Sequence, residues 1–156
     1  RCSVVSWLGD VYKRQIMTRE SHDVNISNSE RAIFANNNKA DMVVRVHADS
    51  LNNPGKTGAS ILIPAKESKY TTAIYEDSQN CANLISSKMK EAGIKVNGVF
   101  ERGDLTGFNW SQVPVVLVEM GFLSNYTEDQ MMSNPEYQTK LMQAISDGLD
   151  EYFANK

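Results

Sequence analysis

The sequence predicts a single α/β domain with a mostly parallel or mixed sheet and helices on both faces. Short apolar runs typical of buried strands alternate with longer segments whose apolar residues recur at helical spacing. The length of 156 residues suits one domain that buries roughly 70% of the surface its unfolded chain exposes. Two of the apolar runs lead into residues of catalytic type, and open α/β sheets keep their sites at the ends of strands.

The first fifteen residues, RCSVVSWLGDVYKRQ, do not fit the pattern that follows them. They have no sustained apolar core and no small-residue cleavage pattern, so they do not match a signal peptide. Residues 10–15 resemble the translation of a transposon-end adaptor used to prepare sequencing libraries. We therefore predict that residues 1–15 are a non-native extension; the alternative is a genuine N-terminal strand and turn.

The native part is predicted to begin with the tail of a strand at 16–19 and a polar loop. Ser27, followed three residues later by Glu30, then makes a capping box for a helix over 28–38. The apolar residues expected to form its packed face are Ala32, Ile33, Phe34 and Ala35.

Two of the predicted strands lead into a possible site. Residues 42–46 predict a strand that ends in His47, and 115–118 predict a fully buried strand that runs into Glu119. A carboxylate at the end of a buried strand is costly unless it is paired, bound to metal or functional. If both strands lie in one sheet and end at the same edge, His47 and Glu119 face one crevice. A further strand is predicted at 59–63.

The middle of the chain is predicted to form a long helix and a short strand. Helical spacing of apolar residues predicts the helix over 70–92, with Gly93 as its C′ stop and Cys81 as a buried thiol. Residues 94–100 predict the strand. The segment 101–107 is predicted to be a loop, because it is charged and rich in glycine.

The last element is a helix that begins at Pro135 in its first position, after Asn134 as the N-cap. Six residues at helical spacing predict its buried stripe. They are Tyr137, Leu141, Ala144, Ile145, Leu149 and Tyr152.

Composition argues against several classes of function. A net charge of −3 gives no reason to expect nucleic acid as a partner. The longest apolar runs are far shorter than the roughly 20 residues needed to cross a bilayer, so we expect no membrane span. Two cysteines cannot make a disulfide framework. We expect a monomer.

Several segments, in matching order and spacing, together carry a family resemblance. They are Met17-Thr18-Arg19, Arg31, Ala35-Asn36, the run from Ala40 to Ala48, and the run from Pro114 to Asn125. They resemble the zinc-dependent N-acetylmuramoyl-L-alanine amidases, which cut bacterial peptidoglycan. Residues 102–110 resemble the segment before the catalytic glutamate in a subset of these enzymes. The resemblance implies that residues 16–156 are a partial amidase catalytic domain.

The resemblance also implies roles for two residues. In the family, two histidines and a glutamate hold zinc, and a strand-end glutamate acts on the bound water. His47 matches the second histidine and Glu119 matches the catalytic glutamate. The first histidine and the ligand glutamate belong to a strand and a helix upstream of Met17. We expect that strand and helix to be missing, so Zn²⁺ requires two further ligands absent from this chain.

The chemistry of amide hydrolysis explains why the family needs these parts. Zinc lowers the pKa of bound water from 15.7 to about 7 and polarises the carbonyl. Glu119 is then expected to act as general base and general acid. The bond cut in the family joins the lactyl carbonyl of N-acetylmuramic acid to L-alanine. We expect the intact protein to hydrolyse it in the cell wall or periplasm, outside the cytoplasm, and the 156-residue chain to be inactive.

Other residues have two interpretations from sequence alone. Arg102 can bind a carboxylate of the stem peptide or form a structural ion pair. Phe108 and Trp110 can line a substrate groove or pack in a loop. His22 is expected to be a solvated loop residue. Asp49 stands where many relatives have asparagine, and no role is assigned to it.

A second reading of the whole chain belongs to a different class. It is a noncatalytic peptidoglycan-binding or regulatory module that keeps a degenerate amidase fold. The sequence upstream of residue 16 separates the two readings, because a Gly-His turn and a helical glutamate there favour the enzyme.

Overall fold

A computed structural model describes residues 14–21 and 23–156. Within them the strands are β1 (Val43–Asp49), β2 (Ala59–Pro64), β3 (Val96–Arg102) and β4 (Val115–Phe122). The helices there are α1 (Asn28–Asn37), α2 (Thr72–Glu91), α3 (Thr106–Asn109), α4 (Tyr126–Met132) and α5 (Pro135–Ala154). None of these helices is both long and apolar enough to cross a bilayer.

The described strands form one mixed sheet in the order β1-β4-β2-β3. Strand β1 pairs parallel to β4, β2 pairs parallel to β3, and β2 runs antiparallel to β4. The predicted α/β class with a mixed sheet is therefore confirmed. Strand β4 is a central strand, and all of its residues except Glu119 are buried.

The two faces of β4 belong to different hydrophobic clusters, because successive side chains of a strand point to opposite sides. Val116, Val118 and Met120 belong to the main core, to which α2 and α5 also contribute. Val115 and Leu117 lie on the other face in a smaller cluster with Phe108 of α3 and Ile74 from the start of α2. Helix α1 packs on α3, so the described helices cover both faces.

Local capping signals placed the helix ends correctly. Ser27 and Glu30 form the predicted capping box: the Ser27 hydroxyl accepts from Glu30 N at 3.2 Å, and the Glu30 carboxylate accepts from Ser27 N at 2.8 Å. Asn134 caps α5 by accepting a hydrogen bond from Glu136 N at 2.8 Å. Gly93 has φ +74° just after α2, as a C′ glycine does.

The packed face of α1 is narrower than predicted. Ala32 and Ala35 are buried, but Ile33 and Phe34 are 38% and 37% exposed. Helix α1 has ten residues and contacts α3, and its two buried residues are both alanines. Asn36 fixes this contact, because its amide donates to Trp110 O at 2.9 Å and its carbonyl accepts from Gln112 N at 2.9 Å.

Two predictions of local structure were wrong. No strand occurs at 16–19. The predicted loop 101–107 instead contains the end of β3 and the start of α3. The charge of Glu101 is compatible with a strand, because its carboxylate accepts hydrogen bonds from Lys66 N at 2.9 Å and from the Tyr75 hydroxyl at 2.7 Å.

Two predicted strand boundaries also moved. Strand β4 continues to Phe122, so Glu119 lies within the strand and not at its end. Parallel pairing explains the extension, because Phe122 pairs with Asp49 of β1. The strand predicted at 94–100 begins two residues later and continues to Arg102, which pairs with Pro64 of β2.

Candidate active site

His47 and Glu119 are direct neighbours in the sheet. The register of β1 and β4 pairs them, and the pairing becomes irregular just after His47. Both side chains line a cavity of about 120 Å³ on the face covered by α1 and α3. Irregular pairing is common next to active sites, where it turns a side chain towards the site. The structure thus brings together the two residues that the sequence singled out.

Glu119 is partly buried, and its Oε2 atom is enclosed without a hydrogen-bond partner among the described residues. Burial, and after it the nearby charge of Asp49, raise the pKa of Glu119 to about 7. Arg102 and Arg45 act in the opposite direction. A carboxyl group with this pKa can both accept and donate a proton at neutral pH.

His47 is uncharged at neutral pH. Its pKa is lowered to about 4, first by the burial of much of its ring and then by the positive charges of Arg45, Arg31 and Arg19. The residue as a whole nevertheless remains exposed to solvent. A neutral imidazole is the form that binds metal ions or accepts a hydrogen bond.

Arg102 lines the same cavity and is held by Asp104. Its Nε and Nη2 atoms donate to the two Asp104 carboxylate oxygens, each at 2.7 Å. This bidentate pair lowers the pKa of Asp104. The structure thus contains a structural ion pair of Arg102, which was one of its two interpretations. The Nη1 atom of Arg102 has no hydrogen bond to any described residue.

Arg45 is a cavity residue that sequence reasoning missed. It lies two residues before His47 on the same face of β1, and its Nη2 atom donates to Asn28 Oδ1 at 2.5 Å. A Cβ atom on Gly107 would overlap its Nη1 atom, so the glycine leaves space for the guanidinium. The period of two in the predicted strand could have placed Arg45 beside His47.

Glu128 is a second residue that sequence reasoning missed. It is only 6% exposed, and its carboxylate accepts hydrogen bonds from Gly58 N at 2.5 Å and from Phe122 N at 2.8 Å. It therefore ties the loop before β2 to the end of the strand that carries Glu119. In sequence, the spacing of Asn125 and Glu128 is that of a helix cap, and the Glu128 N–H does donate to Asn125 Oδ1. This local pattern gives no sign of the long-range contact of the Glu128 carboxylate.

The remaining candidates occupy different surroundings. Phe108 is fully buried and belongs to the core, whereas Trp110 is 55% exposed and does not line the cavity. Asp49 accepts a hydrogen bond from Ser50 N through its own carboxylate at 2.7 Å and acts on Glu119 through its charge. His22 lies outside the described residues.

Among the residues that the structure describes, no three His, Cys, Asp or Glu side chains lie close enough to hold a metal ion. Catalytic zinc sites use three protein ligands and keep a fourth position open. His47 offers one neutral imidazole, and the unpartnered Glu119 Oε2 atom lies at the same cavity. These residues by themselves do not fit a zinc ion.

Comparison with protein families and relatives gives a consistent result. A sequence model of the N-acetylmuramoyl-L-alanine amidases matches residues 4–151. The chain is 30% identical over 133 residues to the uncharacterized protein YqiI of Bacillus subtilis, covering 85% of this chain and 61% of that protein. It is 26% identical over 140 residues to the probable cell wall amidase LytH of Staphylococcus epidermidis, covering 89% and 42%. The chain thus spans less than two thirds of either relative.

Solved structures with the same fold belong to amidases. The amidase Ami1 of Mycobacterium smegmatis superposes with a TM-score of 0.82 at 26% identity, covering 92% of this chain and 68% of that one. An N-acetylmuramoyl-L-alanine amidase of Clostridium difficile gives a TM-score of 0.75 at 28% identity, covering 86% and 69%. Since the family's sequence pattern runs through nearly the whole chain and its fold recurs here, the chain belongs to the N-acetylmuramoyl-L-alanine amidase family.

Proposed function

We propose that this chain supplies the His47 and Glu119 part of a zinc-dependent centre that hydrolyses peptidoglycan. The bond cut is the amide between N-acetylmuramic acid and L-alanine of the stem peptide. The support comes from the family match together with the amidase activity for which its structural relatives are named. The cell-wall role of LytH supports an extracellular site of action at the wall or in the periplasm. We propose that the protein acts as a monomer.

The observation that carries this proposal is the state of Glu119. It is paired in register with His47, its Oε2 atom is enclosed and unpartnered, and its pKa is raised to about 7. Proton transfer by a positioned carboxyl group contributes roughly 10² to 10⁴ in rate. We assign to Glu119 Oε2 the proton that must leave the attacking water and reach the departing amine of L-alanine.

The metal requirement follows from the family and not from the described residues. Zinc, when bound, supplies an activated water and a polarised carbonyl. We propose His47 as one ligand through its neutral ring, and we propose that this chain lacks the two further ligands that the family uses. On this proposal the 156-residue chain does not turn over substrate.

Arg102 is the residue that we propose to contact substrate at the wall of the cavity. Its ion pair with Asp104 fixes the guanidinium plane and leaves the Nη1 atom available. A guanidinium held in this way can bind a carboxylate of the stem peptide without losing much side-chain entropy.

The test compares the intact gene product with its Glu119→Gln variant on purified peptidoglycan. The expected result is release of stem peptides with a new L-alanine amino terminus, abolished by a chelator and restored by zinc. Glu119→Gln should lower the rate at least about 100-fold. A new terminus at any other residue, or full activity of Glu119→Gln, contradicts the proposal. The 156-residue chain, assayed in parallel, should release nothing.

A second candidate is a noncatalytic module that binds peptidoglycan. The observation that favours it is the lack of a third metal-binding side chain near His47 within the described ranges. This candidate predicts that the 156-residue chain sediments with insoluble peptidoglycan whether or not a chelator is present. It also predicts that the intact gene product has no hydrolytic activity in the assay above.

A further inference from the structure

The cavity beside Glu119 contains a cationic group to which the proposed function assigns no contact with substrate. Arg45 lies on its wall, half-buried, and forms no salt bridge with a described carboxylate, although its charge interacts with that of Glu119. Arg102, on the same cavity, donates two hydrogen bonds to the Asp104 carboxylate. Of these two arginines, Arg45 is therefore the one without a directly bonded carboxylate.

Three elements hold the Arg45 guanidinium in place. It extends from β1, its Nη2 atom donates to Asn28 of α1, and its Nη1 atom lies against Gly107 of α3. A guanidinium has five N–H donors, and the described residues provide one acceptor, Asn28 Oδ1. A half-buried cation with donors to spare is suited to bind an anion, above all a planar carboxylate.

The size of the cavity limits what this anion can be. Sites for whole small molecules usually measure about 300–1,000 Å³. The cavity here has a volume of about 120 Å³. It therefore admits one functional group of a larger substrate, and the rest of the substrate lies outside.

The spacing of Arg45 and His47 along β1 narrows the choice of group. Backbone positions two residues apart on one face of a strand are about 6.6 Å apart, and this is the offset of Arg45 from His47 along β1. In an extended peptide, the carboxylate of the residue after L-alanine lies about 6 Å from the amide nitrogen of L-alanine. In a peptidoglycan stem that residue is D-glutamate, whose α-carboxylate is free because the chain continues through the γ-carboxyl group.

We propose that Arg45 binds the free α-carboxylate of D-glutamate in the stem peptide, and so discriminates against stems in which this group is amidated. The inference rests on the proposed function, because it takes the muropeptide as the substrate class. It makes Arg45 a specificity residue, separate from the acid–base role of Glu119.

The test measures binding to the 156-residue chain of two ligands that differ in one group. They are N-acetylmuramoyl-L-alanyl-D-glutamate and N-acetylmuramoyl-L-alanyl-D-isoglutamine. Because a charge-assisted hydrogen bond joins Arg45 to the carboxylate, the D-glutamate ligand should bind about tenfold or more tightly than the isoglutamine ligand. Arg45→Gln should remove this preference while the affinity for the isoglutamine ligand changes less than about twofold.

Matched variants separate recognition from loss of folding and from general attraction. Gly107→Ala should displace the guanidinium and weaken the preference, and Arg45→Lys should keep only part of it. Arg31→Gln is the control for general attraction. Arg31 carries the same charge and also acts on His47, but it does not line the cavity, so this variant should still prefer the D-glutamate ligand. Circular dichroism confirms that each variant is folded.

Three results overturn the inference. Equal affinity for the two ligands excludes recognition of the carboxylate but leaves the muropeptide as substrate class. A preference that survives in Arg45→Gln assigns recognition to another residue. Binding of neither ligand removes both this inference and the support for muropeptide binding by this part of the protein. Release of stem peptides by the intact product tests the proposed function independently.

Discussion

Two opposing sets of interactions determine the protonation of the Glu119 carboxyl group. Burial and Asp49 favour its neutral form, whereas Arg45 and Arg102 favour its charged form. The balance gives a pKa of about 7. Perturbed carboxyl groups in a cleft mark functional sites more often than structural ones. The cost of this placement should be visible in stability as a function of pH.

We predict that Glu119→Gln is more stable than the parent chain at high pH. The folded-state pKa is raised from 4.5 to about 7, so the stability associated with the protonated group is complete below pH 4.5 and is lost as pH rises through 7. Urea unfolding at pH 8, with a chelator present, should show a gain on the order of 1–3 kcal/mol for the variant. The gain should shrink towards pH 5. A difference that is the same at every pH contradicts the assignment.

Glu128 contributes to the site through the backbone. Its carboxylate accepts from two main-chain N–H groups in a buried position, one of them at the end of β4. An amide can replace only one of the two acceptor oxygens, and its NH₂ group then faces an N–H donor.

We predict that Glu128→Gln lowers the free energy of unfolding by roughly 2–3 kcal/mol, the cost of a buried donor without an acceptor. Chemical denaturation measures it. The control is Glu136→Gln, at an exposed glutamate in the first turn of α5, which should cost less than about 1 kcal/mol. Equal effects of the two substitutions would contradict the stabilising role assigned to the two buried hydrogen bonds of Glu128.

At the scale of elements, the two long helices approach each other closely. Helices α2 and α5 pack together over the main core. Gly148 of α5 lies against the backbone of α2, where a Cβ atom would come within 2.6 Å of Ile85 Cα. The absence of a side chain at this position sets how closely the helices approach.

We predict that Gly148→Ala destabilises the protein by about 1–3 kcal/mol, because the helices must move apart. Intrinsic helix propensity acts in the opposite direction by roughly 1 kcal/mol. The control is Gln143→Ala, at an exposed position of the same helix, which should change stability by less than about 0.5 kcal/mol. Thermal unfolding of both variants measures the effect; a Gly148→Ala protein that is more stable than the parent shows that propensity dominates and the contact is loose.

At the scale of the whole molecule, the site lies where a central strand meets an edge strand of the described sheet. Strand β4 carries Glu119 between two neighbours, whereas β1 carries His47 and is paired on one side only. Glu119, the proposed proton-transfer residue, therefore lies on a strand with two neighbours, and His47, the proposed metal ligand, lies on a strand with one neighbour in the described sheet.

We predict that the 156-residue chain does not retain zinc. Among the described residues, His47 is the one histidine at the cavity and no group of three possible metal ligands occurs, so the chain should lose added zinc on gel filtration. Elemental analysis should find far less than one zinc per chain, and His47→Ala should give the same low content. Stoichiometric zinc that disappears in His47→Ala shows that residues outside the described ranges complete the site.

The sequence by itself determined the α/β class, the caps of α1 and α5, and the pair His47 and Glu119 as site candidates. These features follow from local patterns: apolar periodicity, capping residues and polar residues beside buried strands. The same reasoning failed at 101–107, because charge and glycine content do not reveal that β3 continues to Arg102 and that α3 begins at Thr106.

Only the tertiary structure decided which distant residues meet. From sequence, His47 and Glu119 were expected to face one crevice only if their strands shared a sheet. The structure shows that β1 and β4 are adjacent and that the two residues pair in register. The contacts of Arg45 with Gly107 and of Glu128 with Gly58 join residues 62 and 70 positions apart. Such contacts depend on how strands and helices pack and not on local propensity, so no pattern in either segment predicts them.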